Sequence, residues 1–251
     1  MAFYPLAILN IYSNDLIVEL NRASCGCLLG DRLVNNLNYA DDMCVLAPSI
    51  KALRELLHKC EVYSSEHDIL YNAKKTKCMH FASRLKLGKK PPIFLSGELV
   101  EYVNNFTYLG HKITSDLKDN SDIEHQRRLF RMRGNMLLRK FGNCSFEVKS
   151  LLFKSFCYNV YCCHLWCSFT QLTMNSLKVI YNNLFRRLFG YARDHSARTM
   201  FVQNRLMSFY ELHRNIVYKF RERLNKSNNS ILKSDVTWKS ILFKYWSNVL
   251  Y

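Results

Sequence analysis

Proline and glycine are scarce in this chain, 4 and 8 among 251 residues, and no low-complexity tract or internal repeat is present. Flexible linkers draw on those residues, so their scarcity argues for continuous folded structure. Paired C-x-x-C spacing is missing from the densest group of the ten cysteines, Cys157, Cys162, Cys163 and Cys167 with His164. Set in an aromatic run, these residues read as small core hydrophobes in a reducing compartment rather than as zinc ligands or disulfides. A secretion signal is also lacking: Met1–Leu9 has neither a basic flank nor a small-residue cleavage site. The expected location is nuclear or cytoplasmic, not secreted. No long run is free of polar groups. Residues 151–172 have the length of a membrane span but contain Lys154, Asn159, His164 and Gln171, which favours a buried amphipathic helix and no membrane partner.

Acid is scarce in the back of the chain. Lys and Arg total 36 against 20 Asp and Glu, a net charge of +16. Residues 1–72 hold 5 basic and 9 acidic side chains, and residues 73–251 hold 31 and 11. Residues 73–90 carry 7 basic groups and no acid, and residues 127–140 contain Arg127, Arg128, Arg131, Arg133, Arg139 and Lys140 with no acid. A mildly acidic front joined to a strongly basic back suits a carboxylate metal site beside a polyanion track. A solvated basic surface has the same composition, and both readings stand at this point.

Apolar periodicity predicts a helix over 5–20, short strands with hairpin turns at Gly30-Asp31 and Asp41-Asp42, and a helix from Ile50 capped by Ser49. The buried stripe of that helix is Ile50, Leu53, Leu56, Leu57, Cys60 and Tyr63. Strands are expected at 69–72 and 76–81, a connector at 86–92, and further strands at 93–95, 99–103 and 106–113. Beyond Asp116 the pattern is helical, over about 121–141, 146–170, 172–189, 196–225 and 235–249. The fold class is α+β, an antiparallel sheet with helices on one face followed by an all-helical region.

Asn38-Tyr39-Ala40-Asp41-Asp42 is the one motif that carries chemistry. Adjacent residues on a strand face opposite ways, so only a turn lets two neighbouring carboxylates approach one site. Hard cations such as Mg²⁺ take oxygen ligands, and a two-metal site activates one oxygen while stabilising another. An ordinary surface turn also uses Asp-Asp, and these residues alone do not decide between the two.

Tyr39-Ala40-Asp41-Asp42, flanked by apolar strands and followed by Leu46-Ala47-Pro48-Ser49 and an amphipathic helix, resembles the palm hairpin of reverse transcriptases of non-long-terminal-repeat retrotransposons. Three other segments resemble that family in its order. Tyr4-Pro5-Leu6 through Asp15-Leu16 is similar to the helix of a template- and nucleotide-contacting motif, with Tyr4 in place of the usual serine. Asn72-Ala73-Lys74-Lys75-Thr76-Lys77 resembles the next motif, and Phe106-Thr107-Tyr108-Leu109-Gly110 the primer grip.

The resemblance implies an RNA-directed DNA polymerase built as a partial palm (1–83), a connector with the primer-grip hairpin (84–115), and a helical thumb and linker (116–251). It implies that Asp41 and Asp42 are Mg²⁺ ligands and that Lys75 is a general acid toward pyrophosphate. Tyr39, Phe106, Tyr108, Leu109, Gly110, Arg127, Arg128 and Arg131 are the implied contacts to an RNA template and an RNA–DNA or DNA duplex. The family's upstream metal-binding aspartate and fingers have no counterpart in this sequence. The expectation is therefore a C-terminal portion that is inactive alone. A non-catalytic nucleic-acid-binding protein that keeps the basic surface is the alternative, and a helical scaffold or membrane-associated protein is a third.

Overall fold

The computed structural model describes residues 3–81, 90–229, 245–247 and 249. They fall into two compact units, one of residues up to Val103 with 228–229, the other of 104–227 with the described residues from 245 on. The mixture of helices and short strands agrees with the expected α+β class. Of the predicted connector, 86–89 lie outside the described residues, as does most of the predicted helix over 235–249.

The first unit opens with α1 (Phe3–Arg22). Its Leu16 and Leu20, one turn apart, pack with Ala23 on Leu56, Cys60 and Tyr63 of α2 (Ile50–Glu66). Between these helices lie two antiparallel hairpins, β1 (Cys27–Leu29) with β2 (Arg32–Val34) and β3 (Asn36–Tyr39) with β4 (Asp42–Val45). Asn35 joins them and is 2% exposed. Its side-chain amide donates to the carbonyls of Leu20 and Cys25, and its own carbonyl accepts from Leu46 N–H at 2.7 Å. Losing one partner of a buried amide costs about 1–3 kcal/mol, so Asn35 fixes where both hairpins sit against α1.

Ser49 caps α2 as expected, its hydroxyl accepting from Ala52 N–H at 3.2 Å. The helix is covered on two faces. Half-buried Ile50, Leu53 and Leu57 pack on a second cluster of Ala73, Ile93, Leu95 and Val100. No strand forms at 69–72. Asn72 closes a turn there, its side chain accepting from Lys75 N–H at 3.1 Å and its carbonyl from Thr76 N–H at 3.0 Å, so asparagine's turn chemistry overrides the apolar pattern. Strand β5 (Lys77–Met79) pairs in parallel with β8 (Glu101–Val103). The β6 (Phe94–Leu95) and β7 (Glu98–Leu99) hairpin turns at Ser96 and Gly97, φ 51° and 79°. Glu61 of α2 holds it by accepting Ser96 N–H at 2.6 Å. The expected single antiparallel sheet is not formed among the described residues: the strands pair two by two, one pair of them parallel.

In the second unit the predicted 106–113 strand is a hairpin, β9 (Asn105–Tyr108) and β10 (His111–Thr114), turning at Leu109-Gly110. Helix α3 (Asn120–Phe141) buries Ile123, Phe130 and Leu137 against α5 (Gln171–Phe189), which contributes Leu177, Tyr181, Phe185 and Leu188. A Cβ on Gly134 would meet Leu184 Cδ1 at 2.6 Å, so glycine permits this close approach of α3 and α5.

The expected helix over 146–170 is broken. Helix α4 (Phe146–Cys157) ends where Arg133 donates to the carbonyls of Phe156 and Asn159, at 3.2 and 3.1 Å. Cys162 then adopts φ 58°, and a short 3-10 turn follows at Cys163–Leu165. Cys157, Cys163 and Trp166 are all fully buried; at 100° per residue a continuous helix would aim Cys157 away from the face shared by Cys163 and Trp166. The expected 196–225 helix is also two, α6 (Ala197–Gln203) and α7 (Phe209–Lys226). Arg205 at φ 52° separates them, and Ser208 N–H donates to Glu211 Oε2 at 2.8 Å to start α7.

All ten cysteines are free thiols. Cys157, Cys162 and Cys163 are buried as small hydrophobes, while Cys167, expected with them, is exposed. Among the described residues no helix is long and apolar enough to cross a membrane.

Candidate metal turn and nucleic-acid interface

The β3–β4 hairpin pairs Tyr39 directly with Asp42 and leaves Ala40 and Asp41 as its two turn residues. Tyr39 is 64% exposed, and both aspartates are exposed. Ala40 has φ 53°, a left-handed conformation that costs an L-residue about 1–2 kcal/mol. An outlier of this kind persists only where the surroundings over-determine it; here Met43 and Val45 of β4 pack on the α1–α2 core. Among the described residues neither aspartate is engaged by a salt bridge.

The two carboxylates supply the hard oxygen donors that Mg²⁺ takes. They fit an ion that keeps some of its waters and draws its other ligands from a phosphate substrate. They do not make a closed protein site: no group of three or more His, Cys, Asp or Glu able to hold a metal occurs among the described residues.

Lys75 belongs to the same unit, exposed on the Asn72 turn that follows α2. Its neighbour Lys77 is committed elsewhere, with Nζ 2.7 Å from Glu101 and 3.1 Å from the Lys74 carbonyl.

The other candidate residues lie in the second unit. Phe106 and Leu109 are exposed on the β9–β10 hairpin, and Tyr108 is half-buried. Leu109 and Gly110 have φ 47° and 78°, the pattern of a tight primed turn. Tyr161 secures this turn: its hydroxyl donates to the Leu109 carbonyl at 2.7 Å, and its ring would lie 3.0 Å from a Cβ at Gly110.

On α3 the exposed face carries Arg128, Arg131, Met132, Asn135 and Arg139. Arg127 stands apart. It borders the buried face and its guanidinium pairs with Glu124 one turn earlier, so it does not present a free cation alongside Arg131. Arg133 and Arg186 are also used internally; Arg186 donates to the carbonyl of His195 at 3.0 Å.

A polar network absent from the sequence reading centres on Asp122, which is 0% exposed. Its Oδ1 accepts from Lys112 N–H at 3.0 Å and its Oδ2 from Trp166 Nε1 at 2.7 Å, with His111 Nδ1 3.2 Å from Oδ2. The Asp122 carboxylate and Cys162 beside it outweigh burial and raise the His111 pKa to about 10, although the ring approaches Asp122 without hydrogen-bond geometry. Burial opposes ionisation of Asp122, yet the adjacent His111 and the hydrogen bonds from Trp166 and Lys112 hold its carboxyl below the ordinary value. Nearby, Asp119 Oδ2 accepts from the N–H groups of Cys167 and Ser168 at 2.8 and 2.7 Å, and Asn120 accepts from Thr170 N–H at 2.8 Å. The sequence reading singles out none of Asp119, Asn120 and Asp122. Their partners Trp166, Cys167, Ser168 and Thr170 lie 44 to 50 positions away, and no local pattern announces them.

No family model matches the chain. It is similar to the RNA-directed DNA polymerase from mobile element jockey of Drosophila melanogaster, at 24% identity over 206 residues. The match covers 78% of this chain and 22% of that polymerase, so the chain spans about a fifth of its relative's length. This distant similarity supports a reverse-transcriptase-like relation.

Proposed function

We propose that the chain is the C-terminal, palm-and-thumb part of a non-long-terminal-repeat RNA-directed DNA polymerase. The observation that carries this reading is the exposed Tyr39–Asp42 hairpin turn, with its left-handed Ala40 and paired carboxylates, in a chain distantly similar to the jockey polymerase. Asp41 and Asp42 would hold Mg²⁺, which when bound neutralises charge on the attacking and leaving oxygens of nucleotidyl transfer. Lys75 on its exposed turn would give a proton to the departing pyrophosphate. Phe106, Tyr108, Leu109 and Gly110 would hold the primer strand. Arg128 and Arg131 would engage duplex phosphates, which position a duplex without reading its sequence.

The described residues give the Asp41-Asp42 turn no third carboxylate. Transfer depends on tight positioning of the reacting groups, so on this reading the chain alone extends a primer little or not at all. The test is a fusion of this chain to the part of the jockey polymerase that precedes their similarity. Mg²⁺-dependent extension on an RNA template is expected from the fusion, and its loss on Asp41→Asn or Asp42→Asn. Extension that persists in both variants would remove the turn from the chemistry.

A second reading, a non-catalytic nucleic-acid-binding protein, is favoured by one observation that does not involve the turn: the exposed arginine face of α3. Salt-sensitive duplex binding by the chain, together with an inactive fusion, would select it.

A further inference from the structure

We propose that Asp122 is a positioning residue that fuses the β9–β10 hairpin to α3, so that the hairpin tip and the arginine face of α3 meet a nucleic-acid duplex as one rigid body. The inference rests on the nucleic-acid reading above and adds the device that holds two contact elements in fixed relation.

A two-stranded hairpin is marginal by itself in water, and this one is thinly covered. Asn105, Phe106 and Thr107 of β9 are all exposed, whereas the four residues of β10 are half-buried. Apolar packing on one strand would let such a hairpin rock. Polar ties resist that, because each depends on distance and direction and a partly satisfied buried network is costly.

The ties are spread along the hairpin. Just after the turn, the Lys112 N–H of β10 donates to one oxygen of a buried carboxylate on α3, with the His111 ring 3.2 Å from the other. Trp166 Nε1 supplies the second donor to that carboxylate and closes the site from the far side of the sequence. At the tip, Tyr161 bonds the Leu109 carbonyl. Past the base, the link into α3 is itself held, Thr114 Oγ1 donating to the Lys118 carbonyl at 2.9 Å and Asp119 N–H to the Ser168 carbonyl at 2.7 Å. A fully buried charge is a poor choice for stability alone, since an apolar side chain of similar size often serves as well or better. Its directional hydrogen bonds make it a good choice for fixing one geometry.

The test combines two measurements on the full chain, native and Asp122→Asn. Asparagine keeps the acceptor for Lys112 N–H and loses the charge and one acceptor. Hydrogen exchange should be roughly ten-fold or more faster for the amides of 105–114, with protection in α5 unchanged. Binding to an RNA–DNA duplex is then read by fluorescence anisotropy for Phe106→Ala, Arg131→Gln and both together. In the native background the double variant should differ from the product of the single losses by about five-fold. In the Asp122→Asn background it should equal that product.

A uniform loss of protection across the unit would make Asp122 a stability residue and overturn the proposal. Coupling that survives Asp122→Asn, or a native chain that binds duplex with no coupling, would overturn it too. A native chain that binds no duplex would remove the nucleic-acid reading as well. If Asp122→Asn does not fold, Tyr161→Phe cuts one tie without disturbing the buried charge, and faster exchange at 108–111 with reduced coupling is then expected. Unchanged exchange and coupling in that variant would count against the proposal equally.

Discussion

Gly97 and Gly110 occupy the same backbone region, φ +79° and +78°, but only Gly110 has a neighbour there. An added methyl at Gly97 meets nothing within 4 Å, whereas at Gly110 it would lie 3.0 Å from the Tyr161 ring. Gly97→Ala should therefore cost its own unit only the backbone penalty, about 1–2 kcal/mol. Gly110→Ala should cost about 1 kcal/mol more, because a ring tied through its hydroxyl cannot yield freely. Pulsed hydrogen exchange through a urea series reads each unit's midpoint separately, and equal losses would show that the Tyr161 contact is soft. The Gly110 turn was not legible in the apolar pattern, where 106–113 reads as one strand; only the family resemblance implied a hairpin there. Leucine at φ 47° carries none of the Asn-Gly signal of a tight turn, and its tether lies 52 residues away. Asp41-Asp42 was legible because the carboxylates interrupt two apolar runs. Asn35 was not, since nothing in sequence distinguishes a buried asparagine from a loop one.

Helices whose buried stripe is unbroken were read well from sequence, and those that must reorient their core residues were not. Helix α3 buries Ile123, Phe130 and Leu137 along one face, and its extent follows the apolar pattern closely. The break after Cys157 depends on a distant partner, Arg133, and the break after Gln203 on the left-handed turn at Arg205 and the cap that follows it. The orientation of α3 also re-sorts its arginines. The family resemblance grouped Arg127 with Arg128 and Arg131, but Glu124 engages Arg127, and Arg139 shares the exposed face of Arg128. Replacing Arg128, Arg131 and Arg139 together by Gln should flatten the slope of log affinity against log salt on duplex by roughly two to three units. Arg127→Gln alone should leave that slope within about half a unit, because its counterion is already a protein carboxylate. An anisotropy salt series, with circular dichroism to confirm folding, checks both. An equal effect from Arg127 alone would mean that the pair with Glu124 opens on binding.

Across the whole molecule the candidate residues that sequence reads as one ordered series are carried by two units, Tyr39, Asp41, Asp42 and Lys75 on the first and the hairpin and arginines on the second. Each unit has its own core, and their buried titratable groups differ in a way that pH can expose. His164 is pushed down to about 4 by burial and by Arg223, and His213 is lowered by burial. Unfolding lets both take up protons below their ordinary value near 6.5, so stability should rise with pH from about 4 to 6.5. His111, facing Asp122 and Cys162 with Asp119 and His164 nearby, is raised to about 10. It binds its proton in the folded state and releases it on unfolding, so its contribution is complete below about 6.5 and declines as pH climbs toward 10. Buried thiols of this unit such as Cys157, raised to about 12, steepen the decline only above about 8.5, where an unfolded thiol begins to ionise. The second unit should therefore be most stable near pH 6.5, with His111 dominating the fall between 6.5 and 8.5 at up to about 1.4 kcal/mol per pH unit. Urea unfolding of the native chain and of His111→Gln across that window isolates the effect. The variant should show a nearly flat profile there, whatever its absolute stability, because Asp122 keeps its bonds from Trp166 and Lys112 and titrates at lower pH. A native profile that is flat from 6.5 to 8.5, or a slope that His111→Gln leaves intact, would mean that His111 is neutral in the fold and that Asp122 is held by its other donors alone.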